Sequence, residues 1–241
     1  MLERQRGKRQ RVQRVFSSIA RRYDLINTLM TFGLHHRWRR ASIYLAGGMP
    51  EGGEGLDLGC GTGDYLREML DSSGNTATVT GVDFTSEMLT VARRRLSAGI
   101  KRGQVKLVTG DASDLSFLPD ARFDMVTAGF TLRNLTDLRL VFNEIHRVTK
   151  PGGVFVSVEV CRPFPLWLRP IAEAYLRFFV PAIAALVAGK VGEYRWLHES
   201  LATCPDRNGL VRMLKSAGFS EIRQVPFGLG VVVGHIARKP C

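Results

Sequence analysis

Residues 56–65 read LDLGCGTGDY, with three glycines at alternate positions, Gly59, Gly61 and Gly63, directly behind a short apolar run. A backbone of this kind turns sharply and lets another group come close to its main chain. Set between a strand and a helix, it restricts the chain to α/β folds that hold ligands at helix N-termini. The loop alone leaves the ligand open: a dinucleotide, a phosphate, another cofactor, or a neighbouring helix in a tight core.

The flanking sequence continues the alternation. Gly55–Leu58 predicts a strand, and a helix follows from about Thr62 to Leu70. Further strands are expected at 77–83 (ATVTGVD), 105–111 (VKLVTGD), 123–130 (FDMVTAGF) and 154–160 (VFVSVEV). Helices are expected at 86–96, with Ser86 as cap, and at 137–149, stopped by Pro151-Gly152-Gly153. This order predicts parallel βαβ units with right-handed crossovers. After Pro163 the pattern breaks into an apolar, proline-punctuated helical insertion over about 163–200. A helix at 207–219 then leads into strands at 221–227 and 230–239, joined by a short glycine turn as an antiparallel hairpin. The expected fold is α/β and Rossmann-like: a seven-stranded, mostly parallel sheet with an antiparallel C-terminal hairpin strand and helices on both faces. Residues 1–48 form a basic arm and helices covering the active site, the first fourteen poorly ordered; 49–241 form the main domain.

The charge is uneven. Residues 1–40 hold eleven Lys/Arg against Glu3 and Asp24, which is most of the chain's net +12. Such an end suits an anionic membrane surface or nucleic acid, or is simply a solvated tail. The apolar run 178–189 has twelve residues and includes Pro181, short of the roughly 20 that span a bilayer. The four cysteines are scattered without C-x-x-C spacing, so neither a disulfide framework nor a metal site is expected. The expectation is a cytoplasmic protein, peripheral at the inner face of the membrane.

What surrounds the glycines narrows the ligand. Asp64 stands where a dinucleotide fingerprint would place its third glycine, and no G-K-[ST] follows for a phosphate loop. Asp57 precedes the loop as an acid pointed at the pocket, repelling a pyrophosphate but not a cationic ligand. Asp83 and Asp111 end the next two strands, where carboxylates can accept from a ribose and from an adenine amino group. Three acids at three strand ends around a glycine loop describe an S-adenosylmethionine pocket.

Beyond the pocket, the chain resembles the UbiE/MenG-type quinone C-methyltransferases, which are class I S-adenosylmethionine-dependent enzymes. The matching stretches are VFSSIARRYDLINTLMTFGLHHRWRR (15–40), LDLGCGTGD, GVDFTSEMLTVAR, GFTLRNLTDLRLVFNEIHRVTKPGG (129–153), YRWLHES (194–200) and LKSAGF (214–219). The resemblance implies cofactor contacts from Thr62, Asp83, Asp111 and Ala112, and puts Arg133 and Asn134 beside the reacting ring as catalytic residues. The expected cofactor set is Asp57, Gly59, Gly61, Thr62, Gly63, Asp83, Phe84, Met88, Asp111 and Ala112; substrate candidates are Tyr23, Asn27 and Glu159. Each of those three could equally be a packing or capping residue, and Arg133 could instead pair with a structural carboxylate. His35 and His36 are expected at the surface. Thr131, Cys161 and Cys204 depart from the family's usual glycine, serine and phenylalanine. The implied activity is methyl transfer to a ring carbon of a reduced polyprenyl quinone in menaquinone biosynthesis, with a ubiquinone-pathway benzoquinol as alternative. The insertion would then bury the prenyl tail, and a homodimer is left open. A base N-methyltransferase is disfavoured because GFTLRN replaces N/D-P-P-Y/F after the fourth strand, so no nucleic-acid partner is expected. A non-catalytic adapter is disfavoured by the intact cofactor constellation.

Overall fold

A computed structural model describes residues 2–161, 167–188, 200 and 204–241. Short Val/Leu/Phe-rich segments make seven strands: β1 Glu54–Leu58, β2 Thr78–Asp83, β3 Val105–Thr109, β4 Phe123–Gly129, β5 Thr149–Val160, β6 Ser220–Phe227 and β7 Val232–Arg238. They form one sheet in the order β3-β2-β1-β4-β5-β7-β6. β1 to β5 are parallel, and β7 inserts antiparallel between β5 and β6. This is the expected sheet, C-terminal hairpin included. β5 begins earlier than expected: the Pro-Gly-Gly step is absorbed into the strand, with the Gly152 N–H donating to the Lys239 carbonyl at 2.9 Å.

Both faces of the sheet are buried, as parallel sheets require. On one face lie α3 (Leu34–Leu45), α4 (Asp64–Ser72) and α5 (Ser86–Arg95), where Ile43, Leu66, Met69 and Leu89 meet Val79, Met125 and Val156. On the other lie α7 (Leu138–Val148), which follows the short α6 (Ser97–Lys101) in the chain, and a helix at Arg207–Ser216. α7 buries Val141, Phe142, Ile145 and Val148, the i, i+1, i+4, i+7 stripe of an amphipathic helix. Its start is fixed by Asp137, whose carboxylate accepts from the Arg139 and Leu140 N–H groups at 3.0 and 3.3 Å. α5 corrects a detail: Thr85, not Ser86, occupies its N-cap.

A third apolar cluster sits over the strand ends. It joins α1 (Leu2–Ile19), α2 (Tyr23–Thr31), α8 (Arg169–Ala174) and α9 (Val180–Ala188) through Ile19, Ile26, Leu168, Leu176 and Val180. A single π-turn, Tyr175–Phe179, links α8 to α9. The insertion is thus helical over 169–188, whereas the 194–200 stretch lies, apart from Ser200, outside the described residues. The chain is helical from Leu2, where its charge pattern predicts poor order. These helices cover the carboxyl ends of β1 and β4, between which the strand order reverses, the place where open α/β sheets bind ligands.

Candidate functional site

Two hollows meet over the strand ends. The first is built on the glycine loop. Gly59 and Gly61 adopt φ of +62° and +52°, a region that disfavours any Cβ. At Gly59 a Cβ would also stand 2.4 Å from Thr131 Cγ2. The Thr131 hydroxyl lies 3.2 Å from the carbonyls of Gly59 and Gly129, so this departure from the family pattern braces the loop. Asp83 holds the loop from below: one oxygen accepts from the Gly61 N–H and the other from the Thr85 N–H, each at 2.8 Å. Burial raises its pKa, and those two amides pull it back.

The hollow is lined by Gly59, Gly61, Asp83, Phe84, Met88 and Ala112 of the expected cofactor set, with Thr131 and Asn134 opposite. These groups suit S-adenosylmethionine. Asp83 offers lone pairs to a ribose, and at Gly61 an added Cβ would meet only the Tyr23 ring, at 3.9 Å. Four expected contacts lie elsewhere. Asp57 is buried behind the loop, not aimed into it: in a strand, neighbours face opposite ways, and its carboxyl accepts from Thr127 Oγ1 at 2.7 Å. Burial pushes its pKa up to about 8, so at neutral pH it is largely protonated and is no bare counter-ion. Thr62 Oγ1 donates to Asp24 Oδ1 at 2.6 Å, and Gly63 is the N-cap of α4. Asp111, at the rim, is engaged by Arg9 and Ser113, both at 2.8 Å.

The Arg9 contact belongs to a larger correction. α1 lies across this hollow: Val12 and Phe16 line it, and Lys8 donates to the carbonyls of Arg133 and Leu135 at 3.2 and 2.6 Å. The enclosed volume is about 40 Å³. Two cations expected to face an anionic surface are therefore spent on the protein's own cleft.

The second hollow is an apolar cavity of about 480 Å³ between α1–α3 and α8–α9. Tyr23, Asn27, Arg133 and Asn134 line it among Ile19, Met30, Leu168, Leu176 and Val180. Phe16, Tyr23, Phe130 and Asn134 line both hollows and so form their common wall. Burial raises the pKa of the Tyr23 phenol, while the nearby Arg39 opposes the shift. Glu159 is not on the cavity wall. It is fully buried, and its carboxylate takes an ion pair from Arg133 Nη1 and the Arg133 backbone N–H at 3.4 Å. The position expected to touch substrate instead anchors the guanidinium, while Arg133 Nε has no hydrogen-bond partner.

Sequence reasoning missed a charged knot beside this wall. Asp64 receives Arg95 at 2.8 Å and Arg39 at 3.2 Å, and Arg95 also holds Asp24 at 2.9 Å. The knot ties α2 and α3 to the glycine loop; the arginines of HRWRR (36–40) and ARRR (92–95) against the acids of RRYD and GTGD were its only sequence signal. His35, expected at the surface, is 1 % exposed and set in the cavity wall.

The ubiE/COQ5 methyltransferase family model matches residues 4–239. The demethylmenaquinone methyltransferase of Geobacillus stearothermophilus is 38 % identical over 235 residues, covering 97 % of this chain and 98 % of that one. That of Bacillus licheniformis is 36 % identical over 233 residues, covering 97 % and 98 %. Among solved structures, a SAM-dependent methyltransferase from Aquifex aeolicus superposes with a TM-score of 0.59 at 20 % identity, covering 83 % of this chain and 88 % of that one. A Haemonchus contortus phosphoethanolamine N-methyltransferase in complex with S-adenosyl-L-methionine gives 0.61 at 17 % identity, covering 85 % and 53 %. At such identities these two speak for the fold alone.

Proposed function

The chain belongs to the ubiE/COQ5 methyltransferase family, and on that premise we propose that it methylates a ring carbon of reduced demethylmenaquinone. The observation that carries this reading is the common wall: an apolar cavity large enough for a ring and the start of a prenyl tail adjoins the glycine-loop cleft. S-adenosylmethionine, when bound, supplies an electrophilic methyl group. The chain's own part is largely to position the ring against that cleft and to keep water away.

Arg133 is one of two arginines in the cavity wall; the other, Arg39, is paired with Asp64. A guanidinium does not release its proton at working pH, so the task of Arg133 is to stabilise a ring phenolate, not to act as base. Glu159 holds it at one end so that it cannot turn away. Asn134, on the common wall, fixes the ring oxygen by hydrogen bonding, and Tyr23 and Asn27 complete the polar edge. Asp83, Phe84, Met88 and Ala112 hold the cofactor, with Asp111 taking part once Arg9 lets go. We read residues 1–48 as the cover of this site and 49–241 as the methyltransferase domain.

A substrate with a long hydrocarbon tail is met at a membrane. Among the described residues no helix is long and apolar enough to cross one. The surface best suited to contact is a collar of exposed side chains at the cavity mouth, Phe32 (74 %), Leu229 (69 %) and Ile171 (64 %). Phe178 and Trp167 extend it, with Arg169 and Arg177 beside them for anionic headgroups. This collar replaces the basic N-terminus as the docking element.

The test offers labelled S-adenosylmethionine with reduced demethylmenaquinone, a 2-polyprenyl benzoquinol or RNA in parallel. Label in menaquinone is expected; transfer to the benzoquinol alone would move the reading to the ubiquinone pathway, and transfer to RNA alone would end it.

A further inference from the structure

α1 lays one mixed face, part cationic and part apolar, against the cofactor cleft. Lys8, Arg9, Val12 and Phe16 fall at i, i+1, i+4 and i+8 and so share one stripe of the helix. Val12 is 1 % exposed and lines the cleft together with Phe16. With that stripe in place the cleft encloses about 40 Å³, whereas pockets for small ligands run to about 300–1,000 Å³. S-adenosylmethionine does not fit beneath it. The helix must shift before the cofactor enters.

The two ends of α1 are held differently. Its C-terminal end is anchored through Ile19 in the third apolar cluster. Nearer its start the ties are polar: Arg9 Nη1 pairs with Asp111 Oδ2 at 2.8 Å, and Lys8 donates to the carbonyls of Arg133 and Leu135. The Arg9 side chain is half exposed and that of Asp111 a quarter exposed. An ion pair of that kind is weak and screened by salt, so a ligand can replace it. Asp111 is also the acid read above as the acceptor for the cofactor's adenine amino group, and the inference rests on that reading. Its Oδ1 is already taken by the Ser113 N–H and hydroxyl, at 2.9 and 2.8 Å. The oxygen that Arg9 holds is the one left for a ligand.

We propose that α1 is an autoinhibitory strap, in which Arg9 occupies the Asp111 oxygen that the cofactor needs and holds the helix down over the cleft. Arg9 and the cofactor are then competitors for one acceptor. The fraction of molecules with the strap closed lowers the apparent cofactor affinity in proportion. Loosening the strap therefore tightens binding. A helix that served instead as a cover over bound cofactor would behave in the opposite way, since loosening it would let the cofactor leave.

The test is calorimetric binding of S-adenosylhomocysteine to the full chain. Arg9→Gln should tighten it about three- to fivefold. Added salt should tighten the wild type by more than it tightens Arg9→Gln, because the ion pair it screens is already gone from the variant. Arg14→Gln removes the same charge from the outer side of α1, where Arg14 lies beside Gln10 and Gln13, and should bind as the wild type does. Hydrogen exchange supplies a second reading: S-adenosylhomocysteine should speed exchange of the amides from Arg11 to Phe16. Unchanged or weaker binding by Arg9→Gln, an equal gain from Arg14→Gln, or slower exchange in α1 on ligand addition each overturns the strap. No quinol enters these measurements, so failure to turn one over would strike the methyl-acceptor reading alone.

Discussion

The cleft and the cavity share a wall but are held together in opposite ways. In the cleft, short polar bonds do the work: Asp83 is held by two backbone amides, one on each oxygen, Thr62 by Asp24 and Asp111 by Arg9. The cavity wall is mostly hydrocarbon with few polar groups: Tyr175 donates to the Met30 carbonyl, Arg133 pairs with Glu159, and among the described residues Arg133 Nε, Arg39 Nη1 and His35 Nε2 have no hydrogen-bond partner. A polar shell fixes one ligand in one pose. An apolar shell admits many hydrocarbons and leaves selection to a few polar atoms.

Variants can separate the two halves. The largest effect is expected at Arg133→Gln, which leaves Glu159 buried without its cation. A loss of about 3–5 kcal/mol in denaturant unfolding should accompany loss of turnover. Near-normal stability and rate would mean that the pair is ornamental. Next is Asp83→Ala, which frees the loop amides and removes a ligand acceptor. Cofactor affinity by calorimetry should drop about 100-fold, at about 1.5–3 kcal/mol per charge-assisted bond, while naphthoquinol binding changes little. If both ligands weaken equally, the halves are not separable.

Asp57 gives a smaller effect with a definite sign. Its pKa in the fold is raised to about 8, so between the unfolded value near 4 and pH 8 the native state binds the extra proton. Stability should therefore fall as pH rises through that window. Asp57→Asn abolishes this slope, so from pH 5.5 to 7.0 the variant should gain about 2 kcal/mol on the wild type in urea midpoints. Parallel pH curves would show that the carboxyl is ionised after all. Smallest is the collar: Trp167→Asp with Phe178→Asp should weaken sedimentation with phosphatidylglycerol vesicles about tenfold. Turnover of a short-tailed quinol should persist, since neither ring lines the cavity. Unchanged vesicle binding would return docking to the basic N-terminus.

The same contrast explains what the sequence disclosed. The cleft is local: Gly59 to Gly63 and Asp83 sit at the ends of consecutive strands, so motif and alternation locate them together. The cavity is assembled from residues near 16–38, 130–134, 168–180 and 228–232, and no short pattern announces that they meet. His35 was lost because LHHRWRR looks like a charged outer face. His35, Arg39, Ser42 and Ile43 nevertheless share one stripe of α3 and all turn inward, Arg39 lying over the Phe130 ring at 5.2 Å. Hydropathy puts such a stripe on the wrong side, because the charges are neutralised by a partner, Asp64, distant in sequence. Asp57 misled for the simpler reason that adjacency to a loop does not settle which way a strand residue faces.

The collar also governs how the purified protein behaves. Aromatic and aliphatic side chains half or more exposed around one opening are a colloidal liability in plain buffer, where they lower their free energy by meeting their like. Without lipid or detergent the chain should self-associate mouth to mouth, increasingly with concentration and salt. A dimer seen under such conditions would be two molecules hiding the same wet surface from water. Its disappearance on adding micelles would tell this apart from a designed interface.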